Sequence, residues 1–273
     1  MAKIRISVIK QGIKGRLRVK DETRNFYNGV FIDLGELILF TGRVIRQFFQ
    51  PPFEFRELVK HSFLLGNKSL ALVGVTGFIM GLVLTMQMNP ILSDFGAQTL
   101  LPGVIAVSMI RELGPVITGL LCAGKLSSGI GAEIAAMTVT EQIDAMEVSG
   151  TRPLSFVVAS RVLATTLVVP VLVIFADAFS LLGAFLAVNI FESMPFTLFI
   201  NLSFSMLAFV DLFPATLKTV FFGFFIGLIG CYKGYTAGRG TESVGKAANS
   251  AVVASSLTIF VIDLIFVLIT SIF

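Results

Sequence analysis

Apolar runs at about 69–89, 99–124, 154–188, 197–231 and 247–272 decide what this chain can become. Each reaches the roughly 20 residues that a helix needs to cross a hydrocarbon core of about 30 Å. Backbone in that layer finds no water, so each run must satisfy its own N–H and C=O groups as an α-helix. The runs at 154–188 and 197–231 exceed one crossing and are expected to tilt or to project beyond it. A water-soluble fold would need polar surface to cover all five. Composition denies it: 55% of the 273 residues are hydrophobic and 14% charged, and the mean hydropathy is +0.89.

The polar residues then set the topology. Thirteen of the 21 Lys and Arg residues fall within the first 68 positions. Residues 1–25 read as a basic tail. Residues 26–65 read as interfacial and elbow helices. In the first, Phe31, Leu34, Ile38, Ile45 and Phe49 interleave with Asp33, Glu36, Arg43 and Arg46, the pattern of a helix lying in the interface. Pro51-Pro52 breaks it, and Phe53–Leu65 forms the elbow into the five-helix domain at 66–273. Loops near 90–98 and 189–196 carry Asp94 and Glu192 without Lys or Arg, whereas 125–153 and 232–246 carry Lys125, Arg152, Lys233, Arg239 and Lys246. The positive-inside rule puts the N-terminus and the basic loops in the cytoplasm and the C-terminus outside. The spacing of Lys3, Arg5 and Lys10 gives no secretion signal. A nucleic-acid partner is not expected, because the basic segment suits anionic lipid.

The stretch 111–153 stands apart. Thr138 and Glu141 have the spacing of a capping box. Val139, Glu141, Gln142, Ile143, Asp144, Ala145, Met146 and Glu147 would form an amphipathic helix over 139–149, with Val139, Ile143 and Met146 on one face. Gly150 supplies a left-handed stop, and Pro153 prevents resumption. The expected fold is thus all-α: a polytopic membrane protein with N-terminal interfacial and elbow helices, five transmembrane helices and one short cytoplasmic helix.

Charges inside the apolar runs need explanation, because hydrocarbon makes them costly. They are Arg111, Glu112, Asp177, Asp211, Lys218 and Asp263. Arg111 and Glu112 point about 100° apart on a helix and so need separate partners or a wet cavity. Pro115 deprives the Arg111 carbonyl of its usual donor, which makes 109–116 an irregular polar segment. Asp211 and Lys218 share a helix face two turns apart. The glycine pairs Gly77/Gly81 and Gly223/Gly227/Gly230/Gly234 serve close helix packing, within one subunit or between two.

Two GxxxxGK runs, 119–125 and 240–246, lack the following Ser or Thr and the preceding strand of a phosphate loop. Cys122 and Cys231 read as packed thiols. With His61 the sole histidine, no metal site, no catalytic residue and no cofactor of the chain's own is expected.

Arg111-Glu112-Leu-Gly-Pro-Val116, Ala132-Glu133, Met137-Thr-Val-Thr-Glu-Gln-Ile-Asp-Ala-Met-Glu-Val148 and Arg161-Val-Leu-Ala164 resemble the MlaE/YrbE family of ABC-transporter permeases. So do Gly234-Tyr235, Glu242, Val244-Gly245 and Ala251–Leu257 with Asp263. The likeness spans roughly 53–270. Departures are Ala136 for a glycine, Ser160 for a proline, and Arg239-Gly-Thr-Glu242-Ser243 in a glycine-rich pattern.

The resemblance implies a permease moving phospholipid or a related hydrophobic molecule at a bacterial inner membrane. Its partners would be a second copy of itself, cytoplasmic ATPase subunits holding ATP and Mg, and an MCE-domain protein on the outer side. The 139–149 helix becomes the coupling helix to the ATPase. A lipid cavity between first and fifth spans of two subunits would use Leu72, Val75, Phe78, Ile79, Leu82, Ile259 and Ile262. The intramembrane charges would hold the second span in one of two arrangements. The alternative is an ion-coupled secondary transporter in which Glu112, Asp177 or Asp263 carries a proton; a third is a membrane scaffold that only recruits a partner.

Overall fold

The computed structural model describes residues 35–48, 55–191, 193–207, 209–238 and 240–272, and of 209–211 the backbone alone. The expected tail at 1–25, Phe31, Asp33, Leu34, Phe49, the Pro51-Pro52 break, the start of the elbow at Phe53, Glu192 and Arg239 lie outside these residues. The chain forms two units, Met1–Arg46 and Gln47–Phe273. Described residues 35–48 form helix α1, which exposes Ile38, Leu39 and Ile45, in keeping with an amphipathic surface helix.

The described residues of the second unit are helical apart from turns and short links. Helix α2, Phe55–Asp94, runs unbroken for 40 residues, about 60 Å at 1.5 Å per residue. The elbow and first span are therefore one helix: no Gly-Pro or Pro-Pro breaker separates the charged turn at Glu57 and Lys60 from the apolar run. Helix α3, Gln98–Val139, also runs far past the expected span end at 124. Most of the expected 125–153 loop is its continuation, and helix α4, Gln142–Val148, fills part of the rest.

Helix α5 covers Leu154–Phe191. The single long run expected at 197–231 divides into α6, Phe196–Ser205, and α7, Phe209–Tyr235. Pro214 stands inside α7, where its missing N–H leaves the carbonyl four residues back without its helical donor. Helix α8 covers Thr241–Ile272, and among the described residues five helices are long and apolar enough to span.

Inside α3 the backbone twice widens into π-turns, at Met109–Leu113 and Ala123–Ser127, and a third opens α5 at Leu154–Ala159. The first ends where Gly114 N–H bonds Met109 C=O, just before Pro115. The irregular segment expected around Arg111 is this turn.

Helix α2 lies along α5, α5 along α7, and α7 along both α8 and the second half of α3. In a bilayer such association rests on close packing rather than on transfer from water. Gly77 and Gly81 allow it: a Cβ on either would run into the carbonyls of Ala176 and Ser180 on α5. The glycines of α7 likewise face α5 and α3 of the same chain, at Thr165, Ser127 and Gly131. Both glycine series thus pack within one subunit.

One core joins Val73, Leu126, Val169, Leu172, Phe222 and Ile259. A second joins Leu101, Ile105, Met109 and Val188 to Phe199 of α6. Phe185 meets Phe196 and Phe199 edge-on at 5.2 and 5.4 Å.

Candidate functional site

The first π-turn carries Arg111 and Glu112 toward the starts and ends of two other helices. Lys218 of α7 extends from the opposite side, its side chain 3% exposed. Its Nζ donates to Glu112 Oε2 at 2.7 Å and to Asp263 Oδ1 of α8 at 2.9 Å. A buried ammonium needs such partners, because desolvation of an unpaired charge outweighs any packing it gains. Three of the expected intramembrane charges therefore meet at one point, from spans two, four and five.

Beside them opens a cavity of about 400 Å³, lined by the charged Arg111, Glu112 and Lys218 and by apolar residues such as Phe213, Leu217, Phe266 and Ile269. This volume is in the range of ordinary ligand pockets. The cavity lies near the start of α7 and the end of α8, away from α4.

Asp177 is not in this cluster. It borders a second cavity of about 250 Å³, lined also by Pro170, Thr216 and Thr219. Its Oδ1 is buried, finds no hydrogen-bond partner among the described residues, and abuts Gly114. Asp211 belongs to α7 by its backbone, and its side chain lies outside the described residues. The partners of Lys218 come instead from α3 and α8.

The residues chosen for a lipid cavity do not share a surface. Leu72, Val75 and Ile79 are exposed on α2, while Phe78 and Leu82 are half-buried. Ile259 and Ile262 are buried in the core against Phe222 and Val173, which corrects their expected place on an open wall. The outward residues of α8 include Val253, Leu257, Phe260, Val261, Leu264 and Leu268. A one-in-three or one-in-four periodicity places a stripe but not its facing, because both sides of α8 are apolar.

Helix α4 departs from its sequence reading at one end. Thr138 is still inside α3, and its hydroxyl donates back to Ile134 C=O at 3.0 Å; Thr140 does the same to Ala136 at 2.8 Å. Such back-bonding competes with capping, so no capping box forms. Val139 ends α3, and Glu141 makes the corner with φ of 58°, left-handed for a non-glycine residue.

The other end agrees. Gly150 has φ of 78°, and Gly150 N–H bonds Glu147 C=O while Thr151 N–H bonds Met146 C=O, the paired closure of a Schellman stop. Ile143 is buried and anchors the helix. Gln142, Asp144, Ala145 and Glu147 are exposed, Met146 is half-buried, and Val148 is 91% exposed. Tyr235 Oη at the end of α7 donates to Glu147 Oε1 at 3.2 Å.

A second ion pair was not legible as a pair. Arg161, 6% exposed at its side chain, donates from Nη2 to Glu133 Oε1 at 2.7 Å. Both residues stand in the motifs quoted above, and only the fold brings them together.

The GxxxxGK run at 119–125 lies within continuous helix, and in the other Gly245 and Lys246 are inside α8, so neither is a loop that could cradle phosphate. Cys122 and Cys231 are buried free thiols. Among the described residues no cluster of His, Cys, Asp and Glu could hold a metal.

The family model described as Permease MlaE matches residues 58–269. A probable ABC transporter permease protein of Rickettsia typhi is 36% identical over 229 residues, 84% of this chain and 88% of that one. A probable ABC transporter permease protein of Synechocystis is 33% identical over 221 residues, 81% of this chain and 84% of that one. The intermembrane phospholipid transport system permease protein MlaE of Haemophilus influenzae is 34% identical over 212 residues, 77% of this chain and 81% of that one.

Proposed function

The chain belongs to the MlaE permease family of ABC transporters, and we propose that it moves phospholipid, powered by ATP hydrolysed in a separate subunit. The observation that carries the substrate reading is the cavity whose lining divides into charged residues, Arg111, Glu112 and Lys218, and apolar ones of α7 and α8. A phospholipid has this same division between head group and chains. Arg111 and Glu112 would meet the head group, while Phe213, Phe266 and Ile269 would receive the first part of the chains. The volume suits that portion of a lipid and not a whole one, so the remaining chain length would lie along the exposed apolar faces of α2 and α8.

Those faces also support a second copy as partner. Exposed Leu72, Val75 and Ile79 on α2, and Leu257, Phe260 and Leu264 on α8, would line the space between two subunits. Phe78, Leu82, Ile259 and Ile262 would support these walls from behind. An MCE-domain protein would receive or deliver lipid on the outer side. The membrane would be a bacterial inner membrane, with α4 in the cytoplasm and the end of α8 outside, as the basic loops require.

Helix α4 would dock into the ATPase, which supplies the ATP and Mg site. Its exposed tip and buried Ile143 fit a peg anchored at one side. For an ion-coupled mechanism Glu112 and Asp263 are poorly placed, since both engage Lys218, and the carrier would have to be Asp177, whose Oδ1 has no hydrogen-bond partner among the described residues.

The test is retention of lipid and partner. The chain purified with its ATPase from native membrane should carry phospholipid detectable by mass spectrometry. Ile269→Asp should lose that lipid while keeping the ATPase. The same lipid load in the variant would sink the cavity assignment.

A further inference from the structure

Helix α4 hangs between two long helices: α3 descends to it and α5 leaves it. Force applied to α4 can move both legs together or merely splay them. Which occurs depends on what ties the legs to each other above α4.

The tie is Glu133 on α3 and Arg161 on α5, 28 residues apart with α4 wholly between them. Arg161 is buried, and besides Glu133 its guanidinium reaches one acceptor, the carbonyl of Val157, from Nη1 at 2.8 Å. Val157 lies in the π-turn that opens α5, and Arg161 Nε has no hydrogen-bond partner among the described residues. A guanidinium so placed depends on the carboxylate, since a buried charge without its counter-ion is strongly disfavoured. Glu133 is itself half-exposed. The arginine is captive, and Glu133→Gln keeps an oxygen to accept from Nη2 while removing the counter-charge.

We propose that Glu133 and Arg161 are a positioning pair that joins the two legs of α4 into one lever, so that displacement of α4 shifts the second and third spans as a unit. This inference rests on the coupling role proposed above for α4. The pair closes a loop from Glu133 through α4 to Arg161. Tyr235 Oη on Glu147 steadies the bottom of that loop against α7. With the pair intact the loop has no free joint at its top. Without it, the π-turn at Leu154–Ala159 is where α5 would bend.

The experiment uses the complete complex in proteoliposomes and compares wild type with Glu133→Gln and Glu133→Asp. Three quantities are read: co-purification of the ATPase, ATP hydrolysis, and ATP-dependent transfer of a fluorescent phospholipid. Glu133→Gln should keep co-purification and hydrolysis within twofold of wild type and lose at least tenfold in lipid transfer. Glu133→Asp, which keeps the charge, should recover a third or more of that transfer. Unchanged transfer in Glu133→Gln overturns the proposal. So does parallel loss of co-purification and transfer, which would mean that the pair only shapes the docking surface. Failure of the wild-type chain to co-purify with an ATPase would overturn the coupling role itself, whatever the variants do.

Discussion

Lys218 Nζ and Glu112 Oε2 lie 2.7 Å apart although 106 residues separate them in the chain. The contact ties the irregular turn of the second span to the first third of the fourth, and Asp263 extends the tie to the fifth. Lys218→Met should therefore destabilise by about 2–3 kcal/mol, since it leaves two carboxylates without their cation. Glu112→Gln should cost less, under about 1.5 kcal/mol, because Asp263 still holds the ammonium. Thermal unfolding in detergent compares them, and equal midpoints would refute the shared role of Lys218.

Gly81→Ala tests the seam between α2 and α5. The added methyl meets the Ser180 carbonyl, which is backbone and cannot swing aside, so a loss of about 1–3 kcal/mol is expected. Gly129→Ala, where nothing lies within 4 Å, should be neutral or gain about 0.5–1 kcal/mol from helix propensity. The two melting shifts should differ in sign or by several degrees.

The corner at Glu141 makes a different prediction. Left-handed backbone costs a non-glycine residue roughly 1–2 kcal/mol, so Glu141→Gly should hold or raise the melting midpoint. Glu141→Val, β-branched at the same φ, should lower it. If valine is as stable as glycine, the corner is not left-handed.

Val148 is the most exposed apolar side chain of α4. Under the proposed docking, Val148→Asp should weaken ATPase binding by tenfold or more, the equivalent of burying one valine at about 1.5 kcal/mol. Melting of the isolated permease should not move. Binding measured by titration of the ATPase decides it.

Much of this was legible from sequence for a simple reason: five apolar runs leave few alternatives, and Gly150 leaves one handedness. What escaped was whatever depends on interruption or on distance. The run at 197–231 is apolar apart from Asn201, Asp211 and Lys218, so length alone could not locate the break between Ser205 and Phe209. Thr138 and Glu141 have the right spacing for a cap, yet a threonine at the end of a helix can bond backward as well as forward. The charges at 112, 218 and 263 were visible one by one, and so were Glu133 and Arg161. Their partners are set by which helices adjoin, and no local pattern records that. For Ile259 and Ile262 the error was one of facing, on a helix apolar all round.

The π-turn at Met109–Leu113 has one more implication. A π-turn holds one residue more than the α-turn it replaces. A deletion within it could be absorbed by the flanking helix, which would continue straight from Ser108 to Gly114. Every hydrophobic position outside the turn would be kept. What would vanish is the swelling that brings both Arg111 and Glu112 to the same cavity. Here chain length, and not side-chain identity, separates a helix that merely crosses the membrane from one that presents two neighbouring charges inside it. A shortened variant should insert as the full-length chain does, melt somewhat lower for want of the Glu112–Lys218 contact, and hold no lipid.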